Sequence, residues 1–305
     1  METSTKGKSI VSWLRQIKVI QVRLLLRFYK NTGEIVEIKM IDLEAELLHD
    51  QHDATLAAIS QEIQFMMECR ADPHIPRFFE SFVQGGKLFI VTEFVGGGSV
   101  KDILRYRSSN SLDSEVYIAI ILREVLLGVR FLHSLGKIHR DIKCANIHLT
   151  TNGEVKLADF GVSATLSDSM SGRASIVGTP CWMAPEIIEN SYDFKCDIWS
   201  IGISAIEMAQ GEPFYANLPP WQTFIALHEN EPPRLPEKHV DPATGHVTLW
   251  SDYFKDFVSR CLVKDPKLRP SSEDLLAHPF IANAKRTSLL TELLEFNPFV
   301  PQPPP

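Results

Sequence analysis

The sequence has little cysteine, and what it has is scattered. Cys69, Cys144, Cys181, Cys196 and Cys261 make an odd number, and none stands in a C-x-x-C pair. A disulfide framework or a zinc site is therefore not expected, and a reducing, cytoplasmic compartment is. Long apolar runs are missing too. Nothing reaches the ~18 residues needed to cross a bilayer, so no membrane span is expected. Nor is there an excess of basic residues. The net charge is −7, which argues against nonspecific nucleic-acid binding. The start, METSTKGKSIVSWLRQIKVIQVRLLL, is basic and apolar. Arg15, Lys18 and Arg23 interrupt what would be the apolar core of a targeting peptide. No internal repeat is visible.

What is present is the composition of a globular protein with a real core, 44% hydrophobic and 23% charged. At ~100–200 residues per domain, a chain of 305 residues makes two domains or one two-lobed unit. Its first part reads as strands. Residues 34–42, EIVEIKMID, alternate, with Val36, Ile38 and Met40 on one side and Glu37 and Lys39 on the other. KNTGE before them signals a hairpin. Residues 54–69 read as a helix, with Leu56, Ile59, Ile63, Met66 and Met67 at helical spacing. Residues 78–94 read as two strands around Gly85-Gly86. VGGGS at 95–99 then reads as a flexible break and a lobe boundary. Beyond it the pattern turns helical. Ile118, Ile121, Leu122, Val125, Leu126, Val129 and Leu132 form one long apolar stripe. Further helices are expected over CDIWSIGISAIEMAQG, near 252–263 and at 271–277. The proline-rich end is expected to be extended.

One stretch carries chemistry. IHRDIKCANIHLTTNGEVKLADFG, residues 138–161, sets Asp141, Lys143, Asn146 and Asp159 around a predicted hairpin. Turn chemistry alone does not demand that combination. His139-Arg140-Asp141 with Asn146 five residues on, then Asp159-Phe160-Gly161, then Ala184-Pro185-Glu186, resemble the catalytic-loop, D-F-G and A-P-E motifs of protein kinases, in that family's order. The resemblance runs from about residue 75 to 282. GTPCWMAPE and EFVGGGSVKDIL resemble the germinal-centre branch of the sterile-twenty-like serine/threonine kinases.

The resemblance implies a bilobal α+β fold: a small antiparallel five-stranded sheet lobe with one helix, then a larger, mainly helical lobe, with the active site between them. It divides the chain into a nucleotide-binding lobe at 1–94, a catalytic and substrate lobe at 95–283, and a C-terminal helix with a proline-rich tail at 284–305. It implies ATP and Mg²⁺ as cofactors and protein serine and threonine hydroxyls as acceptors, with adaptor or scaffold proteins as further partners. Phosphoryl transfer is mostly positioning and charge neutralisation. Asp141 is then the base for the substrate hydroxyl and Lys143 the cation near the transferred phosphate. Asn146 and Asp159 supply hard oxygen ligands for magnesium. Lys39 resembles the strand lysine on the ATP phosphates, with Glu62 as its partner. Thr92 resembles the gatekeeper, and Glu93 and Val95 the hinge groups that meet adenine. Asp197 resembles the helix aspartate that anchors the catalytic loop, and Arg269 the arginine paired with Glu186. Met66, Phe78, His139 and Phe160 would form the apolar spine of the fold. Ser175, four residues before Thr179, is the candidate activating phosphosite, with Arg140 as the partner of its phosphate. Thr179 is expected to hydrogen-bond Asp141 and Lys143.

The pattern breaks in the first lobe. At the family spacing, the glycine-rich loop falls on Ile17 to Leu24, IKVIQVRL, whose ends Ile17 and Leu24 would border the nucleotide. Its glycine positions are Ile17, Val19 and Val22, side chains that hold a backbone away from phosphates. The first 30 residues match the family poorly. Glu37 also stands where alanine packs on adenine. Losing two backbone bonds to phosphate costs roughly 3–6 kcal/mol. Two readings follow: an active kinase, or a kinase-fold scaffold with impaired catalysis.

Overall fold

The computed structural model describes residues 22–29, 32–43, 52–107, 111–160, 164–165, 179–189, 192–241 and 244–295. The chain forms two compact units, Met1–Glu68 with Arg77–Phe94, and Cys69–Pro76 with Val95–Pro305.

The first unit is a sheet with one helix. Strands β1 (Val22–Phe28), β2 (Ile35–Asp42), β3 (Phe78–Gln84) and β4 (Lys87–Glu93) pair in the order β1-β2-β4-β3, antiparallel throughout. The sequence asks for five strands; four lie among the described residues, and residues 1–21 are outside them. Helix α1 (His52–Cys69) buries Ile59, Phe65, Met66 and Cys69. Met67, expected on the same face, is 48% exposed. One residue on from Met66 is about 100° around the helix, which carries Met67 off the stripe.

The second unit is mainly helical. Helix α2 (Val100–Tyr106) starts in a capping box, in which Ser99 and Asp102 bond each other's backbone N–H. The long helix α3 (Glu115–Ser134) buries its whole expected stripe. Helix α4 (Lys195–Gln210) is mostly apolar, and every residue from Cys196 to Ala209 is buried, the acids Asp197 and Glu207 among them. Such a helix belongs inside a core. Helices α5 (Pro220–Glu229), α6 (Asp252–Cys261), α7 (Ser272–Leu276) and α8 (Pro279–Ala282) follow. The helix expected after residue 284 is a 3₁₀ run, Thr287–Leu294, which buries Leu290, Leu293 and Leu294. The proline-rich tail is outside the described residues. Short antiparallel pairs complete the unit: β5 (Lys137–Ile138) with β8 (Ala164–Thr165), β6 (Ile147–Leu149) with β7 (Val155–Leu157), and β9 (Lys238–Val240) with β10 (Val247–Leu249).

The glycines of VGGGS are not a flexible break. Gly97 donates to the Leu149 carbonyl at 2.8 Å, and Leu149 donates back to Gly98 at 2.9 Å. A Cβ on Gly97 would stand 2.4 Å from the Leu149 oxygen. Glycine here serves close backbone approach, and it ties the segment to the strand that follows Asn146.

All five cysteines are free thiols. No helix of the described residues is long and apolar enough to cross a membrane.

Candidate active site

In the second unit the site is built on a loop between β5 and β6. Asp197, in the first turn of α4, has no exposed surface. Its carboxylate accepts the backbone N–H of His139 at 3.0 Å and of Arg140 at 2.8 Å, and the His133 ring at 2.9 Å. Burial alone would raise its pKa. The bond from His133 and the neighbouring histidines and N–H groups outweigh burial and hold it below the usual carboxylate range. Arg140 takes φ = 68° there, a left-handed conformation that costs a non-glycine residue energy and must be held by its surroundings.

The loop then turns inward. His139 is fully buried, and burial pushes its pKa down, so the ring is neutral. Its Nδ1 accepts the Asp141 N–H at 3.3 Å, and its Nε2–H donates to the Ala158 carbonyl at 3.1 Å. The ring meets Phe160 edge-on, with centroids 5.2 Å apart.

Asp141 is the meeting point. Its Oδ1 accepts the Thr179 hydroxyl at 2.7 Å. Its Oδ2 accepts Lys143 Nζ at 2.6 Å and Asn146 Nδ2 at 2.9 Å. Lys143 also donates to Thr179 at 2.7 Å. Burial would raise the Asp141 pKa, but the Lys143 ammonium and the Thr179 hydroxyl hold it below the usual range. The carboxylate is thus ionised at neutral pH and hydrogen-bonded on both oxygens.

The β6–β7 hairpin carries Asn146 at its start and Asp159 just past its end. Asn146 Nδ2 also donates to the Asp141 carbonyl at 2.8 Å. Nδ2 is spent on Asp141, which leaves the Asn146 side-chain carbonyl oxygen as the atom able to act as a ligand. The Asn146 backbone oxygen accepts the Ala158 N–H at 2.9 Å, which holds the segment before Asp159. Asp159 itself has φ = 67°. Among the described residues no group of three or more His, Cys, Asp or Glu side chains is set to hold a metal alone. One amide oxygen and one carboxylate fit magnesium, which takes one or two protein ligands and completes its shell with phosphate and water.

In the first unit, Lys39 Nζ lies 2.7 Å from Glu62 Oε1. Lys39 is on β2, and Glu62 is on α1 with its side chain 11% exposed. Glu37 points to the same side of β2 as Lys39 by strand alternation. Burial raises the Glu37 pKa, and Lys39 opposes the rise. Leu24 pairs with Lys39 across β1–β2, and Glu37 pairs with Thr92 across β2–β4. Glu93 donates its N–H to the Arg77 carbonyl at 2.8 Å, and Val95 is buried. Met66 and Phe78 are buried. Ile17, Val19 and Ser175 lie outside the described residues.

Several residues that shape the site carry no motif. His133 bonds Asp197 from the last turn of α3; its signal is the i+4 step from Val129. Glu207 is the second acid on the buried helix α4, further along it than Asp197. It accepts Cys144 N–H at 3.0 Å and Trp182 Nε1–H at 2.9 Å, with Lys101 at 3.5 Å. It thereby ties both the Asp141 loop and the segment after Thr179 to one helix. Glu186 and Arg269 form a buried pair at 2.6 and 3.0 Å, and Arg269 also donates to the Val263, Lys264 and Lys195 carbonyls. This pair anchors the segment that follows Ala184-Pro185.

The comparison with known families agrees with this geometry. Residues 23–281, most of the chain, match the family model described as protein kinase domain.

The Asp141 environment predicts the effect of Lys143→Met. A carboxyl held below its ordinary pKa stabilises the fold above that ordinary value, and the stabilisation fades as pH falls through the folded pKa. Losing the ammonium should raise the Asp141 pKa and cost about 1–3 kcal/mol of stability at pH 7. Carboxyl ¹³C titration and urea unfolding measure both. An Asp141 resonance that titrates at the same pH in both proteins contradicts the account.

Proposed function

Because the chain belongs to the protein kinase family, we propose that it transfers the γ-phosphate of ATP to serine and threonine hydroxyls of proteins, as a member of the germinal-centre branch. The observation that carries this reading is the ring of contacts at Asp141. Its carboxylate is ionised, buried and oriented by Lys143, Thr179 and Asn146. In that state it accepts the proton of an incoming hydroxyl, a role worth ~10²–10⁴-fold in rate. Lys143 places a positive charge within 2.6 Å of the same group, where the transferred phosphoryl would arrive. That lysine, together with GTPCWMAPE, supports the serine/threonine assignment. Asn146 and Asp159 are assigned to magnesium, and Lys39, held by Glu62, to the ATP phosphates, with Leu24 and Ile17 bordering the nucleotide. Magnesium supplies charge neutralisation on the phosphates. Five free thiols agree with a cytoplasmic setting; adaptor proteins that bring substrates belong to the same reading.

A second reading is favoured by a specific observation. Glu37 puts a carboxyl beside Lys39 on one strand, and the Ile17–Leu24 stretch holds no glycine. Both features weaken nucleotide binding and suit a scaffold that signals by binding partners. Against it stands the complete second-unit set: a chain freed from catalysis has no reason to keep Asp141, Asn146 and Asp159 together.

Calorimetry of magnesium-ATP binding, with phosphorylation of a generic basic protein, separates the readings. The proposal expects measurable ATP affinity and a loss of ~10²–10⁴-fold in rate for Asp141→Asn. Glu37→Ala should tighten ATP severalfold, since a like charge near the phosphates costs on the order of 1 kcal/mol in a well-solvated site. Absence of binding up to millimolar ATP leaves the scaffold. Unchanged phosphorylation by Asp141→Asn means the base is wrongly assigned.

Ser175 is proposed as the regulatory phosphosite. Its phosphate, carrying ~−1.5 to −2 charges, would pair with Arg140. Arg140 already donates to the Tyr192 hydroxyl at 3.0 Å, so its guanidinium is held on that side of the loop. Ser175→Ala should lower activity by about tenfold or more, the worth of one charge-assisted hydrogen bond. Full activity in that variant, from cells that phosphorylate the wild type, removes the assignment.

A further inference from the structure

His74 lies outside the site described above and is bonded on every side. It belongs to the segment Cys69–Pro76, which follows α1 in the chain but packs as part of the second unit. Its ring Nδ1 is 2.9 Å from Asp72 Oδ1, and its Nε2 is 3.2 Å from Glu124 Oε2 on α3. Its own backbone is fixed as well. The N–H donates to the same Asp72 oxygen at 2.8 Å, and the carbonyl accepts the Leu157 N–H of β7 at 2.7 Å. On the helix side, Gly128 lets α3 come so near that an added Cβ would stand 3.0 Å from His74 Cβ.

The chemistry of the ring decides its state. A neutral imidazole has one N–H and one bare nitrogen, and an ionised carboxylate is only an acceptor. Two carboxylates on opposite nitrogens are both satisfied only by the imidazolium. A neutral ring must turn a lone pair towards one carboxylate.

We propose that His74 is a proton-dependent clamp, which as the imidazolium bridges Asp72 and Glu124 and pins the segment 69–76 to α3, and which loosens when the proton leaves. Its own segment brings Asp72, while Arg70 is exposed. Helix α3 brings Glu124 and Arg123. Arg123 bonds Glu124 Oε1 at 2.8 Å, leaving Oε2 to His74, and also holds the Ala284 carbonyl at 2.9 Å. Strand β7 contributes the Leu157 backbone, with Lys156 next to it on the opposite face of the strand. The facing charges are therefore negative, with Arg123 as a partial counterweight.

The direction of titration agrees with the geometry. Burial would lower the His74 pKa, but the two carboxylates prevail and hold it above the ordinary histidine value. Glu124 is held below the carboxylate range, its bonds from His74 and Arg123 outweighing burial. A raised histidine pKa stabilises the fold fully below the ordinary value of about 6.5, and the stabilisation is lost as pH rises through the folded pKa. The clamp is thus closed at and below the ordinary histidine pKa and opens as pH rises through the higher folded value.

The test is a ¹³C-histidine NMR titration of the full chain. His74→Gln identifies the resonance by its loss, and Glu124→Gln by its shift. His74 should titrate above about 6.5, and Glu124→Gln should bring it down by about one unit. The Tm gap between wild type and His74→Gln should narrow between pH 6 and 9, by about 2–4 °C for a one-unit shift. If His74→Gln does not fold, the wild-type titration and its response to Glu124→Gln decide alone. A His74 ring titrating at or below its ordinary value, or unmoved by Glu124→Gln, overturns the proposal. So does a Tm gap that stays flat over that range.

Discussion

The geometry of the second unit depends on a carboxylate with no access to water. Asp197 sits at the start of a wholly buried helix and receives two backbone N–H groups and one imidazole. An ionised acid in such a place costs several kcal/mol unless its lone pairs are filled. Here they are filled by the loop it holds, so the cost of burial and the strain at Arg140 are settled in one interaction. The loop has no room to relax without stranding that charge. From this fixed point the chain can set a neutral His139, an ionised Asp141 and an oriented Asn146 within a few residues of one another.

A second buried acid works the same way. Glu207, further along the same helix, takes the Cys144 N–H and the Trp182 indole. It joins the stretch after Thr179 to the loop that carries Asp141. Burial raises its pKa, and its hydrogen-bond donors pull the other way. Helix α4 is thus a buried ruler with two acids on it, and both halves of the candidate site are measured from it. The Thr179 bonds to Asp141 and Lys143 then follow from two independently anchored segments meeting at their ends. The first unit shows a simpler logic. A half-buried lysine and a half-buried glutamate meet across a strand and a helix, and Glu37 adds a negative charge that this pairing does not need.

Much of this was legible in the sequence, because the signals were local. Strand alternation at 34–42, the long stripe of α3 and the turn at Gly85-Gly86 depend on neighbours within a few residues. The motifs around Asp141, Asn146 and Asp159 were legible for the same reason. What the sequence did not show were partners distant in the chain. His133 with Asp197, Lys101 with Glu207, and His74 with Glu124 lie 50 or more residues apart. Nothing in the local spacing of a histidine tells which acid it meets. The glycines at 96–98 were misread for a related reason. Glycine signals either freedom or close approach, and only the position of Leu149 tells which. Met67 was misplaced because an apolar residue beside a stripe looks like part of it.

The central claim is that Asp197 fixes the candidate catalytic loop through the backbone of His139 and Arg140. Amide hydrogen exchange at those two residues measures it directly. The account predicts that both amides exchange only when the whole second unit unfolds, with the same free energy as the core of α4. Exchange at the rate of solvent-exposed, unprotected amides would show that the carboxylate does not hold the loop, and the account would fail.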